Sequence, residues 1–449
     1  MAHHHVTSAD IPVDGERLVN SKVETVKRIA GFAAVALGLI SMFLLFGTKP
    51  DIAAPFAYSW LFAMFFFFTL AAGGCFWTLL HNVSNSGWGT SVRRIMENLG
   101  SVFPFMFIFA APLLFPQVQQ WLYEWMNAHV AALKHHGGGY FDGFLGGFYG
   151  SDSMKSALGK DHEALLANKL WYMNKVAWYV RFFFYFIGLG LVIRTLRKFS
   201  TNQDTDPNPT TKNLFKARFH STYTLIIFAI TITFAAIDWL QGMRYDWFST
   251  MWGVYIFAGA ALMQKAGYLK HVTGPEHYHI MGKLLLAFTI FWAYIAFSQF
   301  FLIWYANITE ETSWFLVRNT GGWNTGSIAL VFGHFVIPFV ILLQAWLKKN
   351  PKLLAIMGGY TLAMHVLDHY IITIPERSVS LYGMAFAGDE RLSSFLSVTT
   401  SVPGAFWGDI LAFFAVGSGF IFFYLRALTQ TATYPHRDPR ILESANVSN

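Results

Sequence analysis

An all-α, polytopic membrane protein is the fold class this chain predicts, and three observations carry the prediction. Ten apolar stretches lie between Arg28 and Leu428, each close to the roughly 20 residues a helix needs to cross the hydrocarbon core. The chain is 54% hydrophobic and only 13% charged, whereas a soluble domain carries about 25% charged residues. In lipid every backbone amide must find its partner within the segment or a closed barrel, and stretches of this length satisfy that rule as helices.

The elements follow in order. Residues 1–27 are a polar N-terminal segment, and 28–56 hold the first span (28–46) and a short loop. Spans 57–80, 99–115, 171–193 and 219–240 form a first four-helix bundle, residues 57–240. Spans 248–268, 284–305, 325–347 and 352–373 form a second, residues 241–373. Residues 374–428 contain a loop and the last span, 404–426, and 429–449 are a polar tail. A weak internal repeat supports the division: Tyr58, Ser59 and Phe62 open one span, and Phe248, Ser249 and Trp252 open another at the same spacing. Both continue into small residues, Ala71 to Gly74 and Ala258 to Ala261, which let helices approach closely in lipid.

The net charge of +7 is a topology signal rather than a nucleic-acid footprint. Counted on alternate sides of the ten spans, Lys and Arg number 21 on the side of the termini and ten on the other. The positive-inside rule places both termini in the cytoplasm and the loops 116–170, 306–324 and 374–403 outside. The sole cysteine, Cys75, lies within a span. It provides no disulfide framework and no iron–sulfur ligand set, so any cluster would belong to a partner.

Function is sought in the polar groups carried into the membrane, because ionisable side chains there are costly. Span 352–373 holds His365, Asp368 and His369 at i, i+3 and i+4, which share one helix face. His334 lies near the middle of its span, ahead of Pro338, where a kink is expected. Arg181 lies at mid-depth in span 171–193, and Asp238 and Asp409 lie near outer span ends. His81, Glu97 and Lys265 lie near the cytoplasmic ends. For Asp409, Asp238, Glu97 and Lys265, snorkelling and capping offer a structural account. Three ionisable groups on one face of a span call for more than a cap. Together His365, Asp368, His369, His334, Asp238, Arg181, His81, Glu97 and Lys265 outline two proton half-channels. In that reading His365 or Arg181 holds Asp368, and Arg181 stops an uninterrupted leak. Histidine suits a relay because it titrates near neutral pH. Gln299, Asp238 and Trp304 are candidates for a quinol pocket. Glu310 and Glu311, just beyond a span, are candidates for partner contact, as is the glycine-rich stretch 137–147. No pair of spans carries the stacked histidines of a two-haem cytochrome b, and neither haem nor metal is expected in this chain.

Longer runs add a resemblance. Tyr172 and Asn174, Arg181 and Tyr185, Asp238 to Leu240, Asp246 to Tyr255, Gly282 to Phe288, Phe291 to Phe300, Trp304 to Thr312 and His334 to Phe339 resemble the NrfD-like membrane subunits of alternative complex III, the bacterial quinol:cytochrome c oxidoreductase. The motif-bearing part covers about residues 170–340, and the ten-span layout extends it to nearly the whole chain. The resemblance implies two four-helix bundles in the bacterial inner membrane. It implies a sister NrfD-like subunit, a periplasmic iron–sulfur protein and multihaem cytochrome c subunits as partners, with haem c and the clusters held there. It implies a role in coupling quinol oxidation to proton movement. The quinol-binding members place a His and an Asp near the periplasmic ends of the first bundle. Span 99–115 has neither, and span 171–193 offers Asn174, Lys175 and Arg181 instead. The expected function is therefore a proton-conducting and scaffolding subunit without its own redox cofactor. The alternatives are a subunit that oxidises quinol itself, a secondary transporter and a structural anchor. A transporter would show broken spans at matched positions in both halves, and Pro338 is expected to break one span without a clear counterpart in the other half.

Overall fold

A computed structural model describes residues 6–12, 14–126, 169, 171–206, 210–245, 247–261, 272–383 and 403–447. Among them there is no strand. The helices are α1 (Ser21–Phe46), α2 (Pro50–Val83), α3 (Thr90–Gly100), α4 (Met106–Ala110), α5 (Pro116–Leu122), α6 (Lys175–Thr205), α7 (Lys212–Trp239), α8 (Trp252–Ala261) and α9 (Pro275–Ala306). There follow α10 (Thr309–Arg318), α11 (Gly322–Ala329), α12 (Ile337–Leu343), α13 (Ala345–Lys349), α14 (Pro351–Gly383), α15 (Pro403–Gln430) and α16 (Ile441–Ala445). Eight helical segments are long and apolar enough to cross a membrane: 21–46, 50–83, 90–114, 175–205, 212–243, 275–306, 322–343 and 405–430. The chain is a multi-pass, all-α membrane protein. Of the two remaining expected spans, 248–268 runs partly outside the described residues. The other, 352–373, belongs to α14, which has 33 residues but spends several of them on ionisable groups.

Local chemistry sets the helix ends. Asn20 caps α1, its Oδ1 accepting from the Val23 amide at 2.8 Å. Asn174 does the same for α6 through the Ala177 amide at 2.8 Å; this residue, read from the sequence as polar matter inside a span, is an N-cap. Between α11 and α12, residues Leu330–Val336 form a π-helix. Pro338 has no N–H to offer the His334 carbonyl one turn back, and a widened turn relieves that mismatch. The expected kink is thus a π segment, with His334 in it.

α2 is apolar all round and buried almost throughout. It packs against α3, α7, α8, α14 and α15, so it touches helices of both groups of spans proposed from the sequence. α1 pairs with α15 at the edge and leaves most of its apolar surface uncovered, as suits a lipid-facing helix. Small residues set the closest approach. A Cβ added to Gly74 of α2 would lie 2.4 Å from the backbone nitrogen of Gly100 at the end of α3. In the equivalent small stretch of α8, a Cβ on Gly259 would lie 2.4 Å from Cε1 of His365. One glycine seats a backbone and the other an imidazole.

The first and last described segments lie on one face, the termini face, where the Val6 amide donates to Asn446 Oδ1 at 2.8 Å. The C-terminal tail folds back over that face. Asp438 meets Arg93 at 3.0 Å, Ser444 meets Ser91 at 2.7 Å, and Arg440 donates to the Asn85 carbonyl at 2.7 Å.

Candidate functional site

α14 supplies the centre of the site. His365, Asp368 and His369 project from one face and are all but fully buried, at 0%, 1% and 1% exposure. Tyr255 of α8 donates its hydroxyl to Asp368 Oδ1, and the Trp292 indole of α9 donates to Oδ2 at 3.2 Å. His365 Nδ1 stands 3.9 Å from Oδ2. His369 donates Nδ1–H to the His365 carbonyl at 3.1 Å, and its Nε2 faces the Thr69 hydroxyl of α2 at 3.5 Å. From the π segment, His334 packs its ring on Trp292, with centroids 4.0 Å apart. Five elements therefore converge on one buried polar cluster. Both ring nitrogens of His334 and of His365 are buried without a hydrogen-bond partner, an arrangement native interiors seldom tolerate.

The other buried acids are held differently. Asp238 receives two bonds of 2.8 Å from Arg181 and a third, 2.5 Å, from the Tyr185 hydroxyl. Asp409 meets Arg377 at 2.7 Å, Ser59 at 2.5 Å and Tyr370 at 2.8 Å. Glu376 meets Arg318 at 2.8 Å, and the Arg318 guanidinium stacks 3.4 Å from the Trp314 ring centre. On the termini face, Glu97 pairs with Arg93 and Arg94, each at 3.1 Å, and Asp438 with Arg93 at 3.0 Å. An arginine stays charged at any accessible pH, so each of these carboxylates sits in a fixed ion pair. Among the described buried acids, Asp368 alone has no Arg or Lys partner.

The structure brings together four of the expected site residues: His334, His365, Asp368 and His369. Arg181 is not among them. The expected pairing of Arg181 with Asp368 is corrected, because Asp238 accepts from its Nε and Nη2, its Nη1 donates to the Tyr172 carbonyl at 2.9 Å, and the Tyr172 ring lies under it, 3.8 Å from the ring centre. Arg181 is thus neutralised at the face opposite the termini, where it offers no isolated positive charge against a proton leak. Glu97 pairs with Arg93 and Arg94 at the termini face, and His81 is buried with its ring beside those of Trp77 and Trp88. Gln299 is buried, whereas Trp304 is 63% exposed. Asp238 and Arg181 line a cavity of about 410 Å³ with Trp125, Tyr172, Phe234 and Trp247. Glu311 is partly exposed on α10. Lys265, the stretch 137–147 and the side chain of Glu310 lie outside the described residues.

Several site residues escaped the sequence reading. The outer loop expected over 374–403 starts later than its sequence suggests: α14 continues through Glu376 and Arg377 and buries both. The signal available was the apolar Ile371, Ile372 and Ile374 just before them. Tyr255 and Trp292 stood in the quoted runs without a role, and nothing in sequence alone tied them to Asp368. Comparison of the chain with protein-family models and with curated proteins returns no match.

Proposed function

We propose that this chain conducts protons as a membrane subunit of a respiratory quinol:acceptor oxidoreductase, and that Asp368 is the group that gains and loses the proton. The observation that carries the reading is the company Asp368 keeps. Its partners, Tyr255 and Trp292, are neutral donors, so the carboxyl can change protonation without breaking an ion pair. An isolated charge at membrane depth is too costly to be idle, and unpartnered imidazoles beside it supply the next acceptors. Neutral polar groups nearer the two faces, His81 on one side and the Ser59 and Tyr370 hydroxyls on the other, supply entry and exit, with water bridging the gaps. The resemblance of the quoted runs supports the placement in such a complex, with both termini cytoplasmic and haem- and cluster-bearing partners on the opposite face. Asp368→Asn keeps the shape and the two donors in place. In proteoliposomes of the assembled complex it should leave quinol oxidation near the parent rate and lower proton translocation at least tenfold. Equal proton translocation in the assembled variant would end the proposal.

A second reading has its own observation. The cavity beside Arg181 and Asp238 is walled largely by aromatic side chains, with Lys169, Gln241 and Arg244 also in its lining, a mix of apolar wall and a few polar groups that small-molecule sites share. A quinol head group fits that chemistry, and this subunit would then oxidise quinol itself. Trp247→Ala, which removes part of the wall without touching the ion pair, should weaken quinol binding if the reading holds.

A further inference from the structure

We propose that His334, His365 and Asp368 form a three-donor site for a divalent transition-metal ion of the zinc class, and that the ion, when bound, closes the proton route. Three independent observations meet there. One donor atom from each residue lies within 4.8 Å of the other two. All four ring nitrogens of the two histidines are buried and lack a hydrogen-bond partner, so ligation costs them no existing bond. The backbone is shaped for the rings: Gly259 leaves the space that His365 fills, and the π-helix Leu330–Val336 delivers His334, as π segments often do at functional sites.

The chemistry narrows the ion. Two imidazoles and a carboxylate are the donor set of open zinc sites, with zinc–nitrogen bonds of about 2.0–2.1 Å. Tetrahedral donors at that range stand roughly 3.4 Å apart, a geometric consequence of those bond lengths. His365 Nδ1 and Asp368 Oδ2 are already at 3.9 Å, and binding draws the three donors together from within 4.8 Å. Asp368 keeps its bonds from Tyr255 and Trp292 as outer support, the arrangement that orients ligating groups elsewhere. Charge is the strictest test in a low-dielectric interior. A divalent ion with one carboxylate leaves one positive charge, and a hydroxide in the open fourth position cancels it. Calcium and magnesium are excluded because they require six or more oxygen donors or retained water.

Ligation takes the lone pairs that a proton would use. A bound ion therefore holds Asp368 and both histidines out of the relay. This consequence rests on the proton-conducting reading, whereas the site itself does not.

The experiment uses the full chain, purified in its native complex from cells grown with added Zn²⁺, and a parallel preparation exchanged with Co²⁺. Metal content is measured by mass spectrometry, and the visible d–d bands of Co²⁺ report four-coordination. A single equivalent per chain is expected, falling at least tenfold in His334→Ala and in His365→Ala. Gly259→Ala, which keeps every ligand and crowds only the His365 ring, should lower it as well. His334→Asn provides a polar substitute should the alanine variant not assemble. Absence of metal from the parent, or equal metal in the histidine variants, overturns the site. Proton flux is read on the same preparations. Bound Zn²⁺ with undiminished flux overturns the block and the relay reading while leaving the metal site standing.

Discussion

Arg377→Ala isolates the energetic worth of the far-face ion pairs. Arg377 and Asp409 are 5% and 3% exposed, and the guanidinium contacts both carboxylate oxygens, at 2.7 and 3.3 Å. Removing one partner of a buried pair costs about 3–5 kcal/mol, because the other charge is left without compensation. Asp409 would retain the hydroxyls of Ser59 and Tyr370, and bonds to a charged group contribute about 1.5–3 kcal/mol each. The lower end of the range, about 3 kcal/mol, is therefore expected. That is a shift of roughly 100-fold in the unfolding equilibrium, by the conversion of 1.4 kcal/mol per tenfold. The double variant Arg377→Met with Asp409→Leu removes both charges and should return to within about 1 kcal/mol of the parent. Unfolding by titration with an anionic detergent in mixed micelles, followed by near-ultraviolet circular dichroism, measures both. If Arg377 stood in a solvated loop, its loss would cost under about 1 kcal/mol, the worth of an exposed pair. A value that small for the single variant would refute the continuation of α14 through Arg377 and its packing on α2.

Further outcomes follow from the same geometry. Gly74→Ala sets a methyl group 2.4 Å from the Gly100 backbone nitrogen, which cannot yield as a side chain would. It should cost about 1–3 kcal/mol by the same unfolding assay, the usual cost of overpacking. His436 stacks over Gly15, whose φ of +69° a side chain would resist, and its Nδ1 lies 3.6 Å from Asp204. Burial lowers its pKa below the ordinary 6.5; Asp204 and Asp14 oppose that shift and Arg437 and Arg94 reinforce it. The docked tail thus refuses a proton that the free tail accepts below 6.5, and docking is intact above that value and weakens as pH falls through the lowered one. Limited proteolysis of the tail should accelerate as pH is lowered from neutral into that range, and His436→Gln should flatten the dependence. Changing Glu310 and Glu311 to Lys should reduce retention of the proposed haem-bearing partners in the purified complex, and unchanged composition would remove those residues from the interface. Single cysteines at Glu311 and at Glu443, the latter 55% exposed in its side chain, should label from opposite sides of sealed spheroplasts. Labelling of Glu443 without lysis would invert the proposed topology.

The sequence by itself determined the class of the protein. Hydropathy and the backbone's need for internal hydrogen bonds are local properties, so long apolar runs announce membrane helices before any packing is known. It determined that α14 carries its costly groups on one face, because i, i+3 and i+4 spacing is a property of the helix alone. It also marked the glycines of α2 and α8 as places of close approach. Only the tertiary structure decided which charge meets which. Arg181 and Asp238 are 57 residues apart, Arg377 and Asp409 are 32, and Tyr255 and Asp368 are 113. No periodicity links such pairs; each exists because two helices present them at the same depth. The assignment of Glu376 and Arg377 to a loop failed for the same reason. Charged residues end an apolar run in sequence, but a helix continues through them where partners on neighbouring helices neutralise the charge. Asp368 stands out only once the arginines have been allotted to the other acids, and that allotment is a property of the assembled bundle.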